Sequence, residues 1–94
     1  MEVEIDDEHL GRVLLDESLD GTLPKGVAKA FRRRYIDIRS AADERDFFAF
    51  KSWHYKKYEG RYSIRLNDQW RLIIDFEPRG RQKVVHIKEI VDYH

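Results

Sequence analysis

The residues best suited to chemistry lie in the second half of the chain. Asp92, Tyr93 and His94 put a carboxylate, a phenol and an imidazole in succession, and each can carry or orient a proton. They follow directly on a segment that reads as a strand. Arg61, Arg65 and Arg71 recur with period two on the side opposite Tyr62, Ile64, Leu66, Trp70, Leu72 and Ile74. Guanidinium groups on a rigid sheet suit phosphate, because the planar fork donates two parallel hydrogen bonds to its oxygens. His54, between Trp53 and Tyr55, adds a second imidazole from what reads as the preceding strand. A single histidine is most often structural. Two histidines, a carboxylate, a tyrosine and several arginines on one sheet suggest a phosphate or RNA site, and residue types alone carry the reading no further.

Strict alternation places Asp92 and His94 on one face of the last strand and Tyr93 on the other unless a bulge intervenes. Val85, Ile87 and Val91 share the parity of Tyr93, and so does Glu89, which signals an irregularity within that strand.

The elements that must position these residues can be read from periodicity. Residues 1–5 alternate as a short half-buried strand does. Asp6 or Asp7 can cap a following helix, with Glu8 favourable in its first turn and Leu10, Val13 and Leu14 on one face. Residues 18–23, containing Asp20-Gly21, read as a loop. Pro24 suits the first turn of a second helix. In that helix Val27, Ala30, Phe31, Tyr35 and Ile38, then Ala41 and Ala42, form an apolar stripe interrupted only by Arg34. Lys25, Lys29, Arg32, Arg33 and Arg39 fall mostly on the other faces. From about Ser52 the period falls to two. Strands are expected over 61–66, 69–77 and 84–93, with turns at Asn67-Asp68 and Pro78-Arg79-Gly80. Trp70 shares parity with Leu72 and Ile74 and is assigned to the core. The expected fold is α+β: two N-terminal helices packed on a mainly antiparallel sheet of four to five strands.

Ninety-four residues support one domain spanning 1–94 with a modest core. The absence of cysteine excludes disulfides and cysteine–zinc sites. No apolar stretch is long enough to cross a membrane and no leader pattern is present, so a cytoplasmic protein without membrane association is expected. No pair of histidines with a carboxylate stands at ligand spacing along one element, and neither a metal nor another cofactor is expected. The formal net charge is zero, but its distribution is uneven. Residues 1–23 hold eight acids and one base, leaving seventeen bases against ten acids in the remainder. A basic surface separate from an acidic one follows.

Residues 62–71, read as YSIRLNDQWR, resemble the signature of HigB-type killer toxins of the RelE/ParE toxin superfamily. In that family an apolar strand follows and the chain closes on Asp-Tyr-His, as Asp92, Tyr93 and His94 do here. A histidine also precedes the signature at the position of His54, with an apolar residue before it, here Trp53. The resemblance covers the last half of the chain strongly and the two N-terminal helices in pattern. There are departures. Many members carry Leu-Lys-Gly and then an Asp-Arg turn before the signature, whereas this chain has Tyr58-Glu59-Gly60 and Arg61 at once. Members are also commonly basic.

The resemblance implies a RelE/ParE-like fold and a ribosome-dependent endoribonuclease, an mRNA interferase that cuts translated messages without a metal. It also implies a helix-turn-helix antitoxin partner, HigA-like, with operator DNA contacted only through that antitoxin. The ribose 2′-hydroxyl attacks the adjacent phosphate, so one group must take its proton, another must protonate the leaving 5′-oxygen, and a cation must stabilise the pentavalent phosphate. Histidine suits proton transfer near neutral pH. On this reading His54 and His94 form the proton-transfer pair, and Asp92 orients a partner or acts as base. Arg71 stabilises the phosphate, and Tyr93 positions a base or orients the phosphate. Lys56, Lys57, Arg61 and Arg65 contact the backbone of messenger or ribosomal RNA. Two alternatives stay open: a ParE-like gyrase poison, and a degenerate non-catalytic module that still binds an antitoxin.

Overall fold

The structure, a computed structural model, describes residues 1–93. Its strands are β1 (Glu2–Ile5), β2 (Lys56–Tyr58), β3 (Arg61–Arg65), β4 (Trp70–Arg79) and β5 (Gln82–Asp92). Its helices are α1 (Glu8–Leu15), α2 (Val27–Ser40) and the short α3 (Arg45–Ala49), with 3₁₀ turns at Glu17–Thr22 and Lys51–Trp53. The sheet order is β1-β5-β4-β3-β2. β1 runs parallel to β5 and the other three pairings are antiparallel, so the fold is α+β on a five-stranded mixed sheet.

Local chemistry accounts for most boundaries. Asp7 caps α1, its Oδ1 accepting from the Leu10 amide at 2.9 Å. Asp16 caps the next turn, accepting from the Ser18 amide at 3.0 Å, and the stretch expected to be a loop is therefore a 3₁₀ turn. Pro24 stands before α2 rather than in its first turn. The helix begins at Val27, after Gly26 at φ 80°, a left-handed backbone that a side chain would strain. It ends at Ser40, which leaves Ala41 and Ala42 outside. Arg34, the interruption in the apolar stripe, lays its guanidinium 5.5 Å from the Trp53 ring centroid and donates to the Arg65 carbonyl at 3.4 Å. Its charge thus rests on an aromatic face above the core.

Phe31, Ile38, Phe47, Trp53, Ile64, Leu72, Ile74, Val85 and Ile87 fill the space between the helices and one sheet face. Burying such a side chain contributes about 1.5–3 kcal/mol. The register of β4 with β5 shifts once: Ile73 faces Glu89, but Ile74 faces Ile87, leaving Lys88 as the extra residue of a bulge. This is the irregularity that Glu89 signalled. Val85 and Ile87 face the core before the bulge, and Ile90 packs against it afterwards. Tyr93 accordingly comes to the face of Arg71, away from the helices.

At the β1 side of that open face, ion pairs hold β1 in place. His86 sets Nδ1 2.9 Å from Asp6 Oδ1 and Nε2 2.7 Å from Glu77 Oε1. Lys88 reaches Asp6 at 2.7 Å, and Arg79 spans Glu2, Glu4 and Glu77. Hydrogen bonding to Asp6, with support from Glu77, raises the His86 pKa above its ordinary 6.5. Hydrogen bonds from His86 and then Lys88 hold Asp6 below its ordinary value, and those from His86 and then Arg79 do the same for Glu77. The histidine's contribution is complete below its ordinary pKa and is lost as pH rises through the raised one. The carboxylates' contribution is present above their ordinary values and is lost as pH falls through the lowered ones. The network is therefore strongest in the weakly acidic range. Thermal melts should show Tm declining from pH 6 to pH 8 in the native protein but much less in His86→Gln; equal declines would exclude this role.

Candidate functional site

The 3₁₀ turn at Lys51–Trp53 ends in the buried Trp53, with the Trp53 amide donating to the Phe50 carbonyl at 2.9 Å and that of His54 to the Lys51 carbonyl at 3.2 Å. His54 then adopts φ 45° and ψ 46° and reverses the chain into β2. It lies at a strained corner, not on a strand as the sequence suggests, because αL geometry is unfavourable for a non-glycine residue.

Two arginines that face each other across β3 and β4 hold this corner. Arg71 Nη1 donates to the His54 carbonyl at 3.2 Å. Arg65 Nη1 lies 3.3 Å from His54 Nε2. A guanidinium can only donate, so a hydrogen bond here requires Nε2 to be the unprotonated nitrogen. Arg71 is nearly buried, 7% exposed, and its guanidinium lies 4.0 Å from the Tyr93 ring centroid. Lys56 sits 4.4 Å from the same centroid and hydrogen-bonds the phenol oxygen. That hydrogen bond, followed by the charges of Lys56 and Arg71, lowers the Tyr93 pKa below its ordinary 10. The Tyr93 backbone is tied down as well, its amide donating to the Gln69 carbonyl at 2.8 Å.

The cluster is thus His54, Lys56, Arg65, Arg71 and Tyr93, drawn from the corner before β2, three strands and the residue after β5. Arg65 also pairs with the exposed Asp68. Among the described residues no carboxylate forms an ion pair with Arg71 or Lys56. A buried guanidinium without a counter-charge is costly to fold, and an anion placed there would relieve that cost.

Other expected site residues stand apart. Lys57 is in register with Tyr62, which packs against the core, so it lies on the opposite side of the sheet from Lys56. Arg61 shares the open face but sits at the far end of β3, 3.6 Å from Glu89. Asp92 faces Trp70 on the other side of the strand from Tyr93 and accepts from Gln69 Nε2 at 2.8 Å. His94 lies outside the described residues, and so does its expected pairing with His54.

Three nearby residues support the site: the sequence marks Asn67 only as a turn residue and does not single out Gln69 or Ser63. Asn67 Oδ1 accepts from the Gln69 and Trp70 amides, both at 2.9 Å, and shapes the loop over 66–69 without any left-handed residue. An asparagine between two strands is the usual signal for such a turn. Gln69 then anchors both Asp92 and Tyr93. Ser63, fully buried, is in register with Lys56 and Ile73 on the open face, and its Oγ has no hydrogen-bond partner among the described residues.

A cleft of about 870 Å³ at the other end of the molecule, lined in part by Arg39, Asp43, Glu44, Arg45 and Lys83, shares no residue with this cluster. Its Arg45 and Lys83 are neutralised locally by Asp43 at 2.8 Å and Glu44 at 2.5 Å. Among the described residues no group of three or more His, Asp or Glu side chains could hold a metal ion, and no helix is long and apolar enough to cross a membrane. In comparisons with known proteins, no family model, curated protein or solved structure matches this chain.

Proposed function

We propose that this chain is the toxin of a toxin–antitoxin pair, a ribosome-dependent endoribonuclease of the HigB type on a RelE/ParE-like fold. The observation that carries the reading is the meeting of His54, Lys56, Arg65, Arg71 and Tyr93 around a nearly buried guanidinium that pairs with no carboxylate among the described residues. Such a cluster suits a bridging phosphate: Arg71 and Lys56 neutralise it, and Arg71 donates to the oxygen that gains charge as the 2′-hydroxyl attacks. His54 accepts the hydroxyl proton at Nε2 once the Arg65 guanidinium turns from that nitrogen to the phosphate. Tyr93, made more acidic by two cations, hydrogen-bonds the phosphate or the departing 5′-oxygen. His94, the second imidazole of the proposed pair, protonates the departing 5′-oxygen, and Asp92, anchored by Gln69, orients a partner or acts as base.

The partners on this reading are the translating ribosome with its message and a HigA-like helix-turn-helix antitoxin, through which alone the protein meets operator DNA. The setting is the cytoplasm. Induced expression should stop amino-acid incorporation while DNA supercoiling continues, and Arg71→Gln should restore growth. Inhibited supercoiling with intact messages would favour the gyrase-poison alternative. Antitoxin binding without any arrest would favour the non-catalytic module.

A further inference from the structure

Beside the cluster lies an aromatic surface that the proposed chemistry does not use. Phe50 is 47% exposed, yet its ring stacks on the buried Trp53 with centroids 4.8 Å apart and planes 19° from parallel. Trp53 is held in turn by Phe47 at 5.3 Å and by the Arg34 guanidinium at 5.5 Å. The Phe50 and Lys51 carbonyls receive the two hydrogen bonds that close the turn ending at His54. An exposed ring, a lysine and the candidate imidazole therefore ride on one rigid turn. Phe48, the other large exposed aromatic here, instead meets Tyr55 edge-on at 4.9 Å.

The charge around Phe50 selects the kind of ligand. From Phe47 to Tyr58 the chain carries no carboxylate: Phe47 and Trp53 are buried beneath the exposed Phe50, and Lys51, His54 and Lys56 follow it, with Lys57 on the other sheet face. Flat rings interleaved with cations bind single-stranded nucleic acid: the cations follow the phosphates and the rings take the bases. We infer that Phe50 is a stacking platform for one nucleobase of the RNA strand whose phosphate occupies the Arg71–Lys56 cluster, extending the Trp53–Phe50 stack outward. The inference rests on the RNA reading of that cluster.

The test compares two labelled eight-nucleotide strands at low salt by fluorescence anisotropy, one a single-stranded RNA and the other an abasic ribose–phosphate strand of equal length. Phosphate neutralisation gives both a sequence-independent affinity. Phe50→Leu should weaken RNA binding by roughly tenfold, within the range of a base–aromatic stack, and leave the abasic strand within about twofold. Phe50→Tyr should restore RNA binding, and Phe48→Leu should change neither strand. Arg71→Gln should weaken both. Phe50 is exposed, so Phe50→Leu should fold, and an unchanged thermal melt verifies this. If Phe50→Leu weakens both strands equally or neither, while Arg71→Gln still weakens both, the stacking platform is wrong and the RNA reading stands. If the native protein binds neither strand, both fall; an effect of Phe50→Leu confined to capture of a protein partner would make this a protein-docking surface instead.

Discussion

His54→Ala is expected to lower messenger cleavage in a translation extract by a factor of about 10²–10⁴, the usual contribution of one well-placed proton-transfer group. The imidazole is exposed, and its contact through Nε2 is with Arg65, so its removal leaves no cavity in the core. The backbone at φ 45° makes a second substitution more informative. His54→Gly should lose cleavage equally, yet it should not lose stability, because glycine adopts this conformation without steric cost. A residue kept for packing would behave in the opposite way. Full cleavage by His54→Gly would remove this histidine from the chemistry.

Trp53→Ala should destabilise the protein by about 3–5 kcal/mol, as truncation of a buried tryptophan does. Trp53 is 1% exposed and is packed by Phe47, Phe50 and Arg34. Domains are stable by about 5–15 kcal/mol in all, so the variant should be at best marginally folded. Urea denaturation would measure the change. Trp53→Phe should fall between the two and retain part of the cleavage, because the turn bearing His54 would still be anchored. A loss below about 1 kcal/mol for Trp53→Ala would show that the turn is held by something other than this side chain.

The parts of this molecule that are legible in the sequence are those in which a period is sustained over many residues. Strands β3 to β5, helix α2 and the bulge in β5 all left a pattern, because alternation that fails at one residue marks an inserted one. Helix α3 did not, since five residues are too few to establish a helical period, and its role is to deliver Phe47 to the core. His54 was legible as a residue but not as a corner: αL geometry at a histidine is imposed by the turn before it and by Arg71, a tertiary contact. The placing of Lys57 failed for a related reason. Residue type groups it with Lys56, but the register of a three-residue edge strand decides which face each occupies. The charge of Arg71 is legible in the sequence. Its burial against Tyr93 depends on the bulge at Lys88 and could not be read without the paired register.

The proposed function requires the Arg71 cluster to cleave translated messages. Mapping of messenger 5′ ends in a translation extract, native protein against Arg71→Gln, tests it most directly. The expected result is new 5′ ends within translated frames that vanish when ribosomes are withheld and fall by about 10²–10³ in the variant, the cost of removing one preorganised donor from a developing oxyanion. New ends that persist undiminished in Arg71→Gln, or translation arrest with no new ends at all, would contradict it.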